Sequence, residues 1–396
     1  MKHRKIKMEA YCFVICFLFL AVSGLEEGDK CITPEGKGTC NRIWNCLSAD
    51  RDNEISLEMC SGENLIVCCL YTQDRNTTKL SERLTRMKPP ITPKKTCSSI
   101  PNNVTEPMRK SLKKCLEYQE KLVYPCLESQ NPNEGMIREN RCNWKPDGLI
   151  IGGVDSYRGE FPHMVHLGYG KYKTEWECGG VLLSEKFVLT AGHCSKDPRF
   201  GPVNKIRIAF LNKSEKVTDV NLYNVKQIYK HPEYKSPLVY NDIALLESDR
   251  PMQLGRYAVP ACLHDGRPIN DTEVYATGWG STMFRFITLP DILQKVALER
   301  YSDDECQRRY SNITIRLMPR GYDKKTQICY GHRKMKRDSC KGDSGGPLQV
   351  VHPEIKCMYL VTGVVSTSKW CAKPDMPGIN TRVAPYLSWI ESIVWP

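Results

Sequence analysis

The cysteines constrain this chain more than any other feature. Of 20 in 396 residues, Cys12 and Cys16 fall in an N-terminal apolar run, which leaves 18 beyond it. An even set of that size suits an oxidising compartment, where paired sulfurs replace part of the work of a core. Six of them, Cys31, Cys40, Cys46, Cys60, Cys68 and Cys69, crowd into a span too small for a self-sufficient apolar core. A disulfide-stapled mini-domain is expected there, and spacing alone leaves open all 15 ways of pairing six cysteines.

The N-terminus fits the same compartment. Lys2, Arg4, Lys5 and Lys7 precede an apolar run over Ala10–Val22, with a cut expected after Gly24, so residues 1–24 read as a secretory signal. No other stretch approaches the ~18 apolar residues that a membrane span needs. Asn76, Asn103, Asn212, Asn270 and Asn312 each open an N-x-Ser/Thr sequon, as expected of an exported glycoprotein. The net charge of +12 raises the question of nucleic acid, but part of it leaves with the signal, and the remaining Lys and Arg are scattered without interleaved aromatics. Neither nucleic-acid binding nor membrane insertion is expected.

From Tyr71 to about Gly148 the chain is rich in Lys, Thr, Pro, Asn and Glu, and reads as a linker with one helix near Glu106–Leu122. Beyond Ile150 come short apolar runs such as "HMVHLGY" and "YLVTGVVST", separated by Gly, Pro, Asn and Asp. Many short strands without long helical periods predict an antiparallel barrel or sandwich. The closing "APYLSWIESIVW" predicts a helix, with Pro385 in its first turn and Tyr386, Ile390 and Ile393 on one face.

Three stretches carry chemistry. "CKGDSGGPL" (Cys340 to Leu348) places Ser344 on a sterically open, glycine-rich turn where backbone N–H groups can converge on an oxyanion. A serine hydroxyl needs a base to take its proton and a carboxylate to orient that base. "LTAGHC" offers His193 and "NDIALL" offers Asp242.

With these motifs in the order His, Asp, Ser, residues 150–396 resemble a chymotrypsin-type serine protease domain, and the six-cysteine module resembles a clip domain. The chain is similar to an arthropod clip-domain serine protease zymogen. The resemblance implies a mainly β fold, a chymotrypsin-like double β-barrel with a C-terminal helix, preceded by a small disulfide-rich domain. It implies four segments: signal 1–24, clip domain 25–70, linker or pro-region of the light chain 71–149, and protease domain 150–396.

Carried onto these residues, it makes Ser344 the nucleophile, His193 the general base and then acid, and Asp242 the group that holds the imidazole. Gly342 and Ser344 would supply the oxyanion-hole N–H groups. Activation would cut Leu149–Ile150, and the new Ile150 ammonium would pair with Asp343. Asp338 would lie at the base of a pocket selecting Arg or Lys, walled by Ser366, Ser368 and Gly378, while Ser368 and Asn380 depart from the usual pocket residues. No cofactor and no metal is implied, and "NKSEKVTDVN" offers only Glu215 and Asp219 to a Ca²⁺ ion that wants 6–8 oxygens.

The resemblance also implies the disulfides Cys178–Cys194, Cys306–Cys329 and Cys340–Cys371, with Cys31–Cys68, Cys40–Cys60 and Cys46–Cys69 in the clip module. Cys262 would tether the cleaved light chain through a linker cysteine, and the partner of Cys357 would also come from the linker.

Leucine before the cut resembles the C-type subfamily, whose members stand mid-cascade. A basic-specific pocket should not cut after leucine, so the expected partners are an upstream protease of apolar preference, a downstream clip-protease zymogen and inhibitory serpins, outside the cell, in innate immunity or developmental patterning. Two alternatives are a catalytically inactive clip-domain adaptor and a bait-type sensor whose linker foreign proteases cut.

Overall fold

The computed structural model describes residues 30–33, 36–42, 59–61, 66–70, 97–98, 100, 104, 108–131, 135–142, 154–280, 290–311, 316–333, 343–367 and 375–396. The signal segment, Asn76, Asn103 and Asn312 lie outside the described residues, as do the side chains of the six clip-module cysteines. The chain divides into two compact units, Met1–Ile91 and Thr92–Pro396.

In the first unit, β1 (Lys30–Thr33), β2 (Gly36–Arg42), β3 (Met59–Ser61) and β4 (Ile66–Leu70) form an antiparallel sheet in the order β1-β2-β4-β3.

The second unit opens with α1 (Lys110–Tyr118), which continues as a single wider turn, Gln119–Val123, within the span where sequence placed a helix. A two-stranded ribbon follows, β5 (Cys126–Glu128) and β6 (Met136–Arg138). Strand β7 (Val154–Asp155) then leads into two closed barrels.

The first barrel is built from β8 (Met164–Tyr169), β9 (Glu175–Leu182), β10 (Phe187–Thr190), β12 (Gly201–Arg207), β13 (Leu222–Lys230) and β14 (Ala244–Ser248), with the short β11 (Lys196–Asp197) at its rim. It runs in the order β12-β13-β14-β10-β9-β8 and closes when β12 pairs with β8. Closure leaves no edge strand, and β8 is buried at all six positions, so its run "MVHLGY" carries no polar alternation.

The second barrel uses β16 (Glu273–Gly278), β17 (Gln294–Arg300), β18 (Gln327–Gly331), β19 (Pro347–Val351), β20 (Tyr359–Thr367) and β21 (Gly378–Arg382), closing through β20 and β21. Strand β15 (Cys262–Leu263) adds in parallel to β20, and β7 pairs with β17. Helix α2 (Asp303–Tyr310) starts with a capping box, the Ser302 hydroxyl accepting from Glu305 N while Glu305 accepts from Ser302 N. The fold is mainly β, as the strand pattern predicts, and chymotrypsin-like, as the family resemblance implies.

The terminal helix α3 (Leu387–Val394) returns to the first barrel and buries Leu387, Ile390 and Val394 beside Val181, Leu189 and Leu245. Tyr386 is buried and Ile393 partly so. Between the barrels, buried His163 hydrogen-bonds to buried Gln349 of β19. Burial pushes the His163 imidazole down to about 4, so the contact is one of neutral groups.

Within the stretch that reads as a linker, the described residues between 97 and 142 pack onto the rest of the second unit. The few apolar ones among them do not form a core of their own; Cys115, Tyr118 and Val123 complete one with Val259, Ile355 and Met358. Disulfides join Cys115 to Cys262 and Cys142 to Cys357 across this contact, and Cys97 to Cys126 within the segment.

Helix α1 has no side-chain cap of its own at Arg109. The carboxylate of Glu391, from α3, fills that role from across the interface. It accepts from Ser111 N at 3.1 Å and Ser111 Oγ at 2.7 Å, and pairs with Arg109 at 3.1 Å. An anion at a helix N-terminus satisfies an orphan N–H and opposes the macrodipole. Burial works against the charged carboxylate, but Arg109 and Ser111 outweigh it and hold Glu391 below the usual carboxyl range.

Glu391→Ala should therefore cost about 1–2 kcal/mol of unfolding free energy at neutral pH, measured by urea denaturation, the range of a lost cap. A depressed carboxyl stabilises above its unfolded pKa and loses that contribution as pH falls through its folded one. The Glu391 contribution should accordingly fade as pH falls below the ordinary carboxyl value of 4.5.

Candidate active site

His193 sits where β10 ends. After Ala191 the chain turns into a short 3₁₀ segment, Gly192–Ser195, pinned by the Cys178–Cys194 disulfide. Gly192 is required here, because a Cβ would fall 2.9 Å from the Tyr234 ring. Asp242 lies just before β14, next to Asn241, whose φ of 52° is left-handed and whose side chain accepts from Tyr386 Oη at 2.7 Å.

Asp242 is 2% exposed and holds His193 twice: Oδ1 accepts from the backbone N at 2.8 Å, and Oδ2 lies 2.8 Å from Nδ1. A carboxylate only accepts, so the shared proton belongs to Nδ1 and Nε2 is the free base of the neutral ring. Burial lowers the imidazole's affinity for a second proton, yet the Asp242 charge and hydrogen bond outweigh it and raise the His193 pKa above its ordinary value. Burial likewise raises Asp242, and the His193 charge, with bonds from His193 and Ser366, more than reverses it.

The second barrel completes the arrangement. Ser366 of β20 donates its hydroxyl to Asp242 Oδ2 at 2.5 Å, and Thr381 of β21 donates to the Asp242 carbonyl at 3.0 Å. Sequence reasoning placed Ser366 on a pocket wall and missed this bond; no local motif signals it, because the partners are 124 residues apart.

Ser344 precedes β19 on a tight turn. Gly345 has φ of 81°, and a Cβ there would lie 2.1 Å from Thr190 Oγ1 and 2.6 Å from the Gly179 carbonyl. Gly179, beside the Cys178–Cys194 bridge, donates its N–H to the Ser344 carbonyl at 2.8 Å. The turn is thus tied to the strand that is itself bonded to the His193 segment. Next to it, Asp343 Oδ1 accepts from Gly280 N at 2.9 Å, and a Cβ on Gly278 or Gly280 would collide with that carboxylate.

Of the expected pocket residues, Gly378 opens β21 and Ser366 is buried, while Asp338, Ser368 and the oxyanion-hole residue Gly342 lie outside the described residues. So do Leu149, Ile150, Cys340 and Cys371. Buried Asn380 turns its amide to the carbonyls of Gly378 at 3.2 Å and Ile328 at 3.4 Å. Cys306 and Cys329 are bonded. Exposed Asn270 and half-buried Asn212 each use the side-chain oxygen for a local turn.

The carboxylate offered to calcium is committed to protein donors: Glu215 Oε1 accepts from Leu211 N and Asn212 N, and its other oxygen meets Arg158. Two clusters of Cys and His among the described residues, Cys178–His193–Cys194 and Cys115–Cys262–His352, have their sulfurs consumed in disulfides and offer no thiolate. No helix among them is long and apolar enough to cross a membrane.

The trypsin family profile matches residues 150–390, the segment holding both barrels and all three of His193, Asp242 and Ser344. The chain belongs to the trypsin family. Among curated relatives, serine protease snk of Drosophila melanogaster is 36% identical over 62% of this chain and 57% of its own length. Serine protease Hayan of Drosophila melanogaster is 31% identical over 68% of this chain and 43% of its own. Coagulation factor XI of Bos taurus is 31% identical over 64% and 39% respectively. The match thus spans about two fifths to just over half the length of these relatives. The family and the relatives mark the barrels as a serine endopeptidase domain.

A base held above its ordinary pKa by Asp242 fixes the pH response. Turnover should rise with pH through an inflection above 6.5, where His193 loses its second proton. In Asp242→Asn the inflection should move down, since burial then acts unopposed, and kcat should fall by about 10⁴. The pH profile of kcat/KM for both proteins measures both effects.

Proposed function

We propose that this chain is a secreted serine endopeptidase zymogen of the clip-domain type, C-type subfamily, in which Ser344 is the nucleophile, His193 the general base and Asp242 its orienting carboxylate. One observation carries the reading: a buried Asp242 that binds His193 at both its backbone and its ring, with the Ser344 turn bonded to Gly179 beside the Cys178–Cys194 bridge that reaches the His193 segment. Ser344 Oγ would give its proton to His193 Nε2 while attacking the scissile carbonyl, and the imidazolium formed would be stabilised by Asp242. The N–H groups of Gly342 and Ser344 would hold the oxyanion, each typically worth roughly 3–4 kcal/mol.

Cleavage of Leu149–Ile150 would create the active form, with the Ile150 ammonium pairing with Asp343. A buried ammonium is tolerated only with a partner, which makes such a pair a conformational trigger. The close fit of Asp343 against Gly278 and Gly280 supports this, because the carboxylate already occupies a space only glycines leave open. The leucine before the cut favours an activating protease of apolar preference, and Asp338 favours cleavage of a downstream zymogen after Arg or Lys in an extracellular cascade, under serpin control.

The disulfides bear on what activation leaves behind. Cys115–Cys262 and Cys142–Cys357 both span the proposed cut, so residues 71–149 and the module at 25–70 would remain attached as a light chain.

Treatment with an elastase-like protease should give a heavy chain beginning at Ile150, one band without reductant and two with it, and hydrolysis of Arg substrates that Ser344→Ala abolishes. Disabling a nucleophile of this kind costs about a million-fold in turnover. A start elsewhere would refute the activation site, and a correct start without hydrolysis would point to an inactive adaptor.

A further inference from the structure

Two arms of chain approach the second barrel beside Gly378. One leaves β18 through Gly331, His332 and Arg333, five residues before Asp338; the other runs through Asp375, Met376 and Pro377 into β21. The arms touch. Asp375 N donates to the His332 carbonyl at 3.1 Å, and a Cβ on Gly331 would lie 2.7 Å from Pro377 Cα.

Helix α2 and the residue before its cap, Tyr301, lie across both arms. Arg309 holds the second arm at two points, Nε donating to the Asp375 carbonyl at 2.9 Å and Nη2 to Asp375 Oδ1 at 2.5 Å. The Tyr301 hydroxyl reaches the same Oδ1 at 3.3 Å, and Tyr310 Oη donates to the Pro377 carbonyl. Arg333 holds the first arm, donating to Glu305 Oε1 at 2.8 Å and to the Arg300 carbonyl at 3.2 Å. Both guanidinium groups lie against the Tyr301 ring, Arg333 at 4.1 Å and Arg309 at 4.9 Å from its centroid. Tyr301 is 1% exposed, so one buried ring braces both cations.

Asp375 itself has φ of 57°, a conformation that an isolated Asp adopts only at a cost. It persists because four bonds, to Arg309 twice, Tyr301 and His332, hold it. Single exposed ion pairs stabilise a fold little, so a network of this density is better explained by a demand for geometry than for stability.

We propose that Arg309 and Asp375 are positioning residues that set the separation of these two arms, and thereby the fit of the substrate side chain before the scissile bond. The inference rests on the reading of Asp338 and Gly378 as parts of one pocket. Neither Arg309 nor Asp375 touches substrate; they act through the backbone at Pro377 and Gly378.

The test uses the full-length activated protein as wild type, Arg309→Ala, Arg309→Lys and Asp375→Asn. Peptide anilides that differ only in Arg, Lys or Leu before the scissile bond are compared with the acylation burst from p-nitrophenyl acetate, which has no such side chain. Arg309→Ala should raise KM for the best peptide about tenfold while changing the burst less than about twofold, since the loss is one of substrate positioning. Arg309→Lys should recover little, because lysine cannot make the two-point contact, and Asp375→Asn should fall between. An unchanged KM, or peptide hydrolysis and burst falling together, would overturn the proposal.

If wild type prefers a side chain other than Arg or Lys, the basic-pocket reading fails and the clamp is judged on whichever side chain is preferred. Hydrogen exchange at the Asp375 amide needs no turnover. It should quicken at least about tenfold in Arg309→Ala, as local opening becomes easier, and an unchanged rate would contradict the clamp.

Discussion

Everything at the centre of this molecule converges on one buried carboxylate. Asp242 comes from the first barrel, binds a histidine of the same barrel, and is itself held by Ser366 and Thr381 of the second. A carboxylate that is 2% exposed would be strongly disfavoured without such donors, so its ionisation demands that both barrels be folded and docked. The barrels are thereby more than a scaffold. Their docking creates the charge that makes His193 a stronger base, and the Ser344 turn is bonded to the same first-barrel strand that the Cys178–Cys194 bridge connects to that histidine.

The same logic of one segment completing another extends to the N-terminal part of the catalytic unit. Residues 97–142 contain too few apolar side chains for a core, and they fold by contributing half of one whose other half lies on the protease barrels. The trans cap from Glu391 works similarly: α1 lacks a cap in its own sequence, and the last helix of the chain, 280 residues away, supplies it. Two disulfides make the association independent of any break in the chain between Cys142 and Val154.

The fold class was legible because short apolar runs between turn residues leave an antiparallel barrel or sandwich, and the resemblance carried by the His, Asp and Ser motifs chose the double barrel. The serine endopeptidase class was legible because "GHC", "NDIALL" and "GDSGG" each carry a local reason in a few adjacent residues, and the trypsin profile spans all three. What local sequence does not carry is anything built from residues far apart. Ser366 as a donor to Asp242, Glu391 as a cap, and Arg309 holding Asp375 all join segments tens to hundreds of residues apart, and none has a motif around it. Composition alone makes the segment read as a linker, because it measures whether a segment can make its own core, not whether it completes another's. The expectation that linker cysteines partner Cys262 and Cys357 comes from the family resemblance, and both bonds are present.

The most direct test of the account is the site of covalent modification by diisopropyl fluorophosphate, which reacts with a serine only when a neighbouring base activates it. After cleavage of the full-length protein, mass spectrometry should find a single diisopropylphosphoryl group on Ser344, absent from His193→Ala. Modification of a different residue, or none after cleavage at Leu149, would contradict the assignment of His193, Asp242 and Ser344 as one catalytic unit.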